Sequence, residues 1–354
     1  MVKLLCAVLH SLLSCLILPA NLLVMVAVCQ LMRRQPSTSY AYILNLATAD
    51  LLVGVMCIPE ALDDILDGGF SHNKSFCLLH VAVSMTPCIG SILTLLLISL
   101  DRYLAVTLPL SYPTLLSRTP LVLSLVVLWM ISLLFGHLPL ILPSLQQGNY
   151  TGYCGLLYVA KSEYLYTLCF GVFAPSLLVL VGLHAWVGRV ACRQHARLRH
   201  ICARRPHLKA LRTVLLILVG FSLSWGPYLV GGIVQAACSS CSLAGPLKDA
   251  LFLLGETNSL INPLIYALYS KDIRSHLAKL LSLSWGPYLV GGIVQAACSS
   301  CSLAGPLKDA LFLLGETNSL INPLIYALYS KDIRSHLAKL LSCVWYLQQA
   351  QLLA

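Results

Sequence analysis

Long apolar runs alternate with short polar stretches along most of this chain. A helix of about 20 apolar residues crosses the ~30 Å hydrocarbon core of a bilayer. Runs of that length lie at 4–30, 40–62, 77–101, 120–143, 163–188, 210–236 and 247–269. The pattern therefore predicts an all-α membrane protein built as a seven-transmembrane helix bundle.

The C-terminal part of the sequence contains a verbatim internal repeat. Residues 283–342 reproduce residues 223–282 without a change, and the copy begins in the middle of a predicted helix. Repeat folds diverge between units, so we interpret the copy as a recent tandem duplication or as an error in gene assembly. It either adds two crossings, at about 280–298 and 306–329, or competes with the first copy for one place in the bundle.

The repeat also sets the predicted domain organisation. Residues 1–282 form the seven-transmembrane domain, and residues 283–342 are an appended duplicate of the sixth and seventh helices. Residues 343–354 follow as a short C-terminal tail.

The composition excludes an ordinary soluble domain. Hydrophobic residues make up 58% of the chain and charged residues only 10%, against about 25% charged residues in soluble domains. The formal charge of +10 comes from residues that flank apolar helices, and this placement argues against a nucleic-acid-binding domain. Met1-Val2-Lys3 runs directly into the first apolar stretch, so we expect no cleavable signal peptide.

The basic residues predict the orientation in the plasma membrane. They concentrate after the first run, at Arg33 and Arg34, and between the fifth and sixth runs, at 189–209. Cytoplasmic loops are rich in Lys and Arg, which places the N-terminus outside and the C-terminus in the cytoplasm. The opposite loops carry glycosylation sequons at Asn73 and Asn149, in agreement with that placement.

A polar group is predicted at mid-membrane depth around Asp50, in the second run. Ionisable residues inside membrane helices are costly, about 2.5–3.5 kcal/mol each on insertion scales, and are candidates for function. One interpretation is a sodium ion, the only cofactor the sequence suggests. Another, which is compatible with the first, is packing through hydrogen bonds from Asp50 to Asn21 and Asn262. The oxygen-bearing residues of this group are Asp50, Ser91, Asn258, Ser259 and Asn262.

A charged tripeptide, Asp101-Arg102-Tyr103, ends the third run at the predicted cytoplasmic surface. A carboxylate beside an arginine forms a charge pair that can hold or release a partner protein. The alternative is an arginine that merely extends its charge to the interface. We expect this tripeptide to contact a partner protein at the cytoplasmic surface.

Two proline-containing motifs predict bends in the last two helices. Proline removes a backbone hydrogen bond and kinks a helix, and a kink with a large side chain beside it supplies a two-state element. The predicted switch residues are Trp225 and Pro227 in the sixth run, and Asn262, Pro263 and Tyr266 in the seventh.

Two cysteine pairs are candidates for disulfides in the outer loops. Cys77 begins the third run and Cys154 lies in the second outer loop, where an oxidising exterior favours their pairing. Cys238 and Cys241 form a Cys-X-X-Cys that can close a short bridge. A Cys-X-X-Cys without a second pair is weak evidence for zinc.

Taken together, these residues resemble the rhodopsin-like (class A) G-protein-coupled receptor family. The resemblance covers about residues 5–282 and includes Trp129 and Pro175. It implies an extracellular or intramembrane ligand, a heterotrimeric G-protein partner and an amphipathic eighth helix at 271–281. Its motifs are Asn21, Leu46-Ala47-Thr48-Ala49-Asp50, Cys77, Asp101-Arg102-Tyr103, Cys154, Trp225-Gly226-Pro227 and Asn262-Pro263-Leu264-Ile265-Tyr266.

Two positions of this sequence lack a residue that a particular ligand class requires in the family, and this narrows the range of expected ligands. Ser84 stands where amine receptors of the family carry an aspartate, and Glu256 stands where opsins carry the Schiff-base lysine. What remains is a pocket of apolar and small polar residues suited to a lipid with a polar head. The predicted lining is Ser84, Met85, Cys88, Trp225, Tyr228, Leu229, Phe252 and Glu256.

Several short stretches are similar to a lipid-sensing branch of the family. They include Leu138-Pro139, Gln146-Gln147 and Gly232-Ile233-Val234-Gln235. This similarity implies fatty-acid amides such as oleoylethanolamide, or lysophospholipids, as ligands. It also implies coupling to the stimulatory G protein with a rise in cyclic AMP.

Two other classes of function are weighed against this one. An ion-coupled transporter would use Asp50 and Glu256 as relays, but transporter repeats are diverged halves of the bundle. A receptor-derived chain that the duplication prevents from signalling is the more serious alternative. We expect no enzyme, because no nucleophile–base pair or metal-ligand spacing occurs in the loops.

Overall fold

A computed structural model describes residues 2–66, 71–108, 110–112, 117–150, 152–198, 206–238 and 243–282. The duplicated segment at 283–342 and the tail at 343–354 lie outside the described residues. Contacts divide the chain into a bundle, Met1–Tyr269, and a second unit, Ser270–Ala354.

The bundle consists of helices, and the second unit begins with one more. The bundle helices are α1 (Val2–Arg34), α2 (Thr38–Ile65), α3 (Lys74–Thr107), α4 (Arg118–Gly136), α5 (Ser162–Leu168), α6 (Ala174–Leu198), α7 (Pro206–Ala237), α8 (Gly245–Glu256) and α9 (Asn258–Tyr269). Short helical turns at Leu138–Ile141, Pro143–Leu145 and Leu156–Val159 lie in the connection between α4 and α5. Helix α10 (Lys271–Ser282) covers the residues predicted for the eighth helix; its amphipathic membrane placement stays a prediction.

Six of the seven predicted crossings are single helical segments long and apolar enough to span a membrane, among the residues that the structure describes. The seventh is interrupted. Helices α8 and α9 meet at Thr257, whose hydroxyl donates to the carbonyl of Leu254 at 2.6 Å. A local side-chain bond of this kind competes with the regular helix ladder, so the seventh crossing consists of two helices of 12 residues each.

Two prolines leave a backbone carbonyl without its helical hydrogen-bond donor, and side chains from other helices donate to these carbonyls instead. A proline cannot donate to the carbonyl four residues earlier. Pro263 thereby frees the carbonyl of Ser259, which accepts from Asn21 Nδ2 of α1 at 3.0 Å. Pro139 likewise frees the carbonyl of Phe135, which accepts from the Tyr164 hydroxyl at 2.8 Å.

The same proline chemistry changes two predicted helices. The fourth crossing ends at Gly136 and not at residue 143, because Pro139 and Pro143 cannot continue its hydrogen-bond ladder. The fifth crossing contains a π-helical turn at Cys169–Phe173, immediately before Pro175. There the N–H of Ala174 donates to the carbonyl of Cys169, five residues back, which is how a π turn accommodates the extra residue.

Helix α3 lies at the centre of the bundle and α4 at its edge. Inside the bundle, 78% of the apolar window of α3 is buried, against 17% for α4. Asn45 of α2 joins these two helices, donating to Thr94 Oγ1 at 2.8 Å and accepting from Trp129 Nε1 at 2.9 Å. Many large apolar side chains face outwards, such as Leu178 with 74% of its surface exposed, as a lipid-facing surface requires.

Candidate functional site

Asp50 is fully buried at the middle of α2 and is held from α9. Ser259 Oγ donates to Asp50 Oδ1 at 3.1 Å, and Asn262 Nδ2 donates to Oδ2 at 2.8 Å. Of the two partners predicted for Asp50, Asn262 bonds to it and Asn21 does not. Asn21 instead donates to the backbone carbonyls of Ile17 and Ser259, the second of which Pro263 leaves without a helical donor.

Several of the residues predicted with Asp50 have buried oxygens without a hydrogen-bond partner. These are the side-chain oxygens of Asn21, Asn258 and Asn262, within the described ranges. Ser91 of α3 is also buried and interacts with Asp50. A carboxylate together with neutral oxygens is the kind of donor set that suits a hard cation such as sodium.

At the predicted cytoplasmic end, Asp101 forms the centre of a hydrogen-bond cluster. Its side chain is 1% exposed and accepts from Thr38 Oγ1 at 2.9 Å and Ser39 Oγ at 2.8 Å, both at the start of α2. Arg102 Nε donates at 3.0 Å, and Arg102 Nη2 bonds both Asp101 and Ser39. The Arg102 guanidinium is therefore directed at its own helix and α2.

Tyr112, in the loop after α3, completes this cluster, here called the inner lock (Thr38, Ser39, Asp101, Arg102 and Tyr112). Its hydroxyl donates to Asp101 Oδ1 at 2.7 Å. Burial raises the pKa of Tyr112, so the phenol keeps its proton and remains a donor. The neighbouring Tyr103 packs against Trp186 of α6, with ring centroids 4.8 Å apart and the ring planes tilted by 54°.

Trp225 lies in an aromatic cluster between α7 and α8. Its ring centroid is 6.0 Å from those of Tyr228 and Phe252. The indole also packs flat on Gly255 of α8, where an added Cβ would lie only 2.7 Å from two ring carbons. Any motion of Trp225 therefore has to be accommodated by α8, immediately before the break at Thr257.

A cavity of about 830 Å³ opens above this cluster, lined by α1, α2, α3, α7, α8 and the loop around Cys154. Of the predicted pocket residues, Ser84, Met85, Tyr228 and Phe252 line it. Trp225 and Leu229 line a smaller adjoining cavity of about 20 Å³, with Met85 and Tyr228. Cys88 and Glu256, also predicted, are buried behind these walls and line neither cavity.

The cavity is more charged than the sequence predicted. The expected lining was apolar with small polar groups, but His10, Glu60, Asp64, Lys248 and Asp249 also line it. The sequence pattern did not predict these five residues as part of the lining, because they come from three different helices. The signal was present in the sequence, since His10 and Glu60 fall inside predicted membrane spans, where ionisable residues are rare.

Four ionisable side chains lie together where α1, α2, α3 and α8 meet; we call His10, Glu60, His80 and Glu256 the outer cluster. His80 Nε2 is 2.8 Å from Glu60 Oε1. His10 Nε2 lies 3.5 Å from Glu60 Oε2 and 3.6 Å from Glu256 Oε2. Glu256 is thus a partner of α1 and α2 at the base of the cavity wall.

One of the predicted covalent features is seen in the structure. The disulfide between Cys77 and Cys154 is present and joins the start of α3 to the cavity-lining loop. Cys238 is disulfide-bonded, while Cys241 lies outside the described residues. Asn73 caps α3 through Oδ1, accepting from the N–H groups of Ser75 and Phe76, which leaves Nδ2, the atom that a glycan would use; Asn149 is exposed.

Comparisons with known proteins agree with this architecture. The family model for the 7 transmembrane receptor (rhodopsin family) matches residues 20–266. The chain is 37% identical to the glucose-dependent insulinotropic receptor of Homo sapiens, over 88% of this chain and 96% of that protein. It is 35% identical to the receptor of the same name from Rattus norvegicus, over 77% of this chain and 61% of that protein.

A second group of relatives is named for an amine ligand. The chain is 30% identical to the histamine H2 receptor of Rattus norvegicus, over 73% of this chain and 74% of that protein. Both groups of relatives are receptors.

Proposed function

The chain belongs to the rhodopsin family of seven-transmembrane receptors, and from this premise we propose that it responds to a lipid-like ligand by activating the stimulatory G protein. Members of the family are multi-pass membrane receptors and not enzymes, and signalling through a heterotrimeric G protein follows from membership. The ligand class, a fatty-acid amide or lysophospholipid, and the G-protein type are the proposal.

The mixed lining of the outer cavity is the observation that carries the ligand class. Apolar side chains line it, among them Val81 and Met85 of α3, Leu157 of the loop and Phe252 of α8. Carboxylates and histidines of α1 and α2 line it as well. A volume of about 830 Å³ lies within the usual range of about 300–1,000 Å³ for small-molecule sites. An amphiphile with a polar head and an apolar tail matches both kinds of lining.

The relation to histamine receptors suggests a cationic amine as a competing ligand. Ser84, on α3, is buried and offers a hydroxyl to the cavity, and a hydroxyl cannot neutralise an ammonium group as a carboxylate does. The carboxylates that do line the cavity, among them Glu60, Asp64 and Asp249, lie on α2 and α8. An amine bound at α3 therefore has no counter-ion there, and we expect histamine to be inactive on this chain.

A route from cavity to G protein is supported by the packing of Trp225. A ligand against Tyr228 and Phe252 would press on the indole, and Gly255 leaves the indole no free space on the α8 side. Helix α9 then connects α8 to Asp50 through Ser259 and Asn262. We propose that this movement ends in release of Arg102 from the inner lock, which presents the guanidinium to the G protein.

Three further assignments belong to the same proposal. The N-terminus faces outward, so the cavity opens to the exterior and the inner lock to the cytoplasm. A sodium ion occupies the oxygens around Asp50 and stabilises the inactive state. Asn73 and Asn149 carry glycans.

Cyclic AMP in cells expressing this chain tests the proposal. Oleoylethanolamide is expected to raise cyclic AMP, and histamine is not. A matched version lacking residues 283–342 separates the alternatives, because a rise confined to that version would mean that the duplicate disables the receptor. No rise in either version, at verified surface expression, would overturn the ligand or coupling assignment.

A further inference from the structure

We propose that His10, Glu60 and Glu256 of the outer cluster form a binding site for a divalent transition-metal ion, with Zn²⁺ as the ion that the donor set fits. The site lies beside the outer cavity and joins α1, α2 and α8. It is distinct from the oxygens around Asp50 and does not depend on which organic ligand the cavity accepts.

The spacing of the three donor atoms is that of metal ligands before an ion draws them together. His10 Nε2, an oxygen of Glu60 and an oxygen of Glu256 all lie within 4.8 Å of one another. The two separations from His10 Nε2 are 3.5 Å to Glu60 Oε2 and 3.6 Å to Glu256 Oε2. Ligands about 2.0–2.2 Å from a tetrahedral zinc ion are separated by about 3.4 Å, so little movement is needed.

The two carboxylates direct unsatisfied oxygens at this point. Glu60 Oε2 and Glu256 Oε2 are buried and have no hydrogen-bond partner in the part of the chain that the structure describes. Glu256 is only 2% exposed. A buried carboxylate oxygen without a partner is costly, and two that face one another also repel. A cation between them satisfies both oxygens and removes the repulsion.

Each of the three ligands is oriented by a second side chain. His10 Nδ1 lies 3.3 Å from Asp64 Oδ2, which leaves Nε2 to point at the carboxylates. His80 Nε2 holds Glu60 Oε1 at 2.8 Å, and Cys57 Sγ donates to Glu256 Oε1 at 3.5 Å. Metal-binding histidines and carboxylates usually have such outer partners. In every case the free atom is the one that faces the proposed ion.

The donor types select zinc over the common hard cations. An imidazole with carboxylates suits Zn²⁺ and neighbouring transition metals, whereas calcium requires six to eight oxygens. Three protein ligands leave a tetrahedral ion one position for water or for a ligand group. His10 and Glu60 line the outer cavity, which gives the ion an entry path and brings that position within reach of a bound ligand.

Zinc titration of the purified full chain tests the site. The protein is prepared in detergent through a tag without histidine, stripped of metal with a chelator, and titrated with ZnCl₂ while its melting temperature is followed. We expect a one-to-one complex with a raised melting temperature. His10→Ala and Glu256→Gln should each weaken zinc binding at least tenfold, and magnesium at the same concentration should not substitute.

The matched control is His72→Ala. His72 lines the same cavity but is exposed and lies outside the outer cluster, so zinc binding should be unchanged. Asp64→Asn keeps all three ligands and removes only the outer partner of His10; we expect a loss of about 10- to 100-fold. His10 and Glu60 precede the repeated segment, so the duplicate cannot replace them.

The outcomes separate the proposal from a purely structural cluster. Equal zinc affinity in the wild type, His10→Ala and Asp64→Asn would overturn it, as would no zinc binding to the wild type. If His10→Ala or Glu256→Gln fails to fold, the test rests on Asp64→Asn alone. Its zinc affinity is then compared with that of the wild type, provided that the two proteins have the same melting temperature without zinc.

Discussion

Asp101 and Glu256 are two carboxylates buried to nearly the same degree, 1% and 2% exposed, near opposite ends of the bundle. Asp101 accepts hydrogen bonds from four different residues of the inner lock. Glu256 has a thiol donor on Oε1 and no hydrogen-bond partner on Oε2 among the described residues. Equal burial thus hides opposite states: one carboxylate is fully engaged and the other has an oxygen available to a ligand.

This difference indicates separate roles for the two ends. A satisfied buried charge stabilises one arrangement, and breaking it requires an outside partner. A buried carboxylate that has an oxygen without a partner favours binding of a cation. We therefore regard the inner lock as a restraint to be released and the outer cluster as a site to be filled.

The largest effect should come from Arg102→Ala, which removes the cation of the inner lock. We expect agonist-driven cyclic AMP to be abolished while ligand binding at the outer cavity is retained, because Arg102 lies at the other end of the bundle. Radioligand binding and cyclic AMP are measured on the same cells. Arg118→Ala, an exposed arginine at the start of α4, is the control, and equal loss of binding and signalling would contradict the assigned role.

Asp101→Asn should weaken the inner lock without removing all of its hydrogen bonds. The amide keeps an acceptor for Thr38 and Tyr112 but loses the charge that holds Arg102. Hydrogen bonds to charged groups are worth about 1.5–3 kcal/mol, so the balance between inactive and active states shifts roughly tenfold or more. Cyclic AMP without ligand should rise at equal surface expression. An unchanged basal level would mean that Asp101 does not restrain the inactive state.

Gly255→Ala tests whether the two ends communicate through Trp225. The added methyl would meet the indole at 2.7 Å, and overpacking of this kind costs about 1–3 kcal/mol. We expect about a tenfold loss of ligand potency in the cyclic AMP assay. Gly182→Ala, on α6 with open space around it, is the matched control; the same potency in both variants would remove Trp225 from the route.

Tyr112→Phe should give the smallest change, because it deletes one donor of the inner lock. A hydrogen bond to a charged carboxylate is worth about 1.5–3 kcal/mol, but Thr38, Ser39 and Arg102 still donate to Asp101 and keep most of the restraint. We therefore expect a shift toward the active state of less than about tenfold. Basal cyclic AMP should rise less than in Asp101→Asn. Tyr42→Phe, which removes the hydroxyl bond to Ser124 and leaves Asp101 untouched, should remain at the wild-type level.

The helical architecture was accessible from the sequence because crossing a bilayer imposes a length and an apolar composition that single runs display. The interruptions were harder to predict. Pro139 and Pro263 are visible in the sequence, but the side chains that occupy their freed carbonyls, Tyr164 and Asn21, come from distant helices. The break at Thr257 depends on a local bond that composition does not report.

The polar sites divide in the same way. Asp50 and Asn262 could be grouped because both are polar residues at mid-span, and they are hydrogen-bonded. The charged lining of the cavity could not be grouped in this way, since Glu60, His10 and Lys248 come to line one cavity only through packing of α1, α2 and α8.

The sequence by itself determined that the chain is a bundle of apolar helices, which polar residues fall within the long apolar runs, and that residues 223–282 are duplicated. These properties depend on the order and composition of single segments. Tertiary structure alone decided that Asp101 is fully paired and that Glu256 faces His10 and Glu60 with a free oxygen. Whether a buried charge is satisfied depends on donors from other helices, and their positions are set by helix packing, which no local pattern encodes.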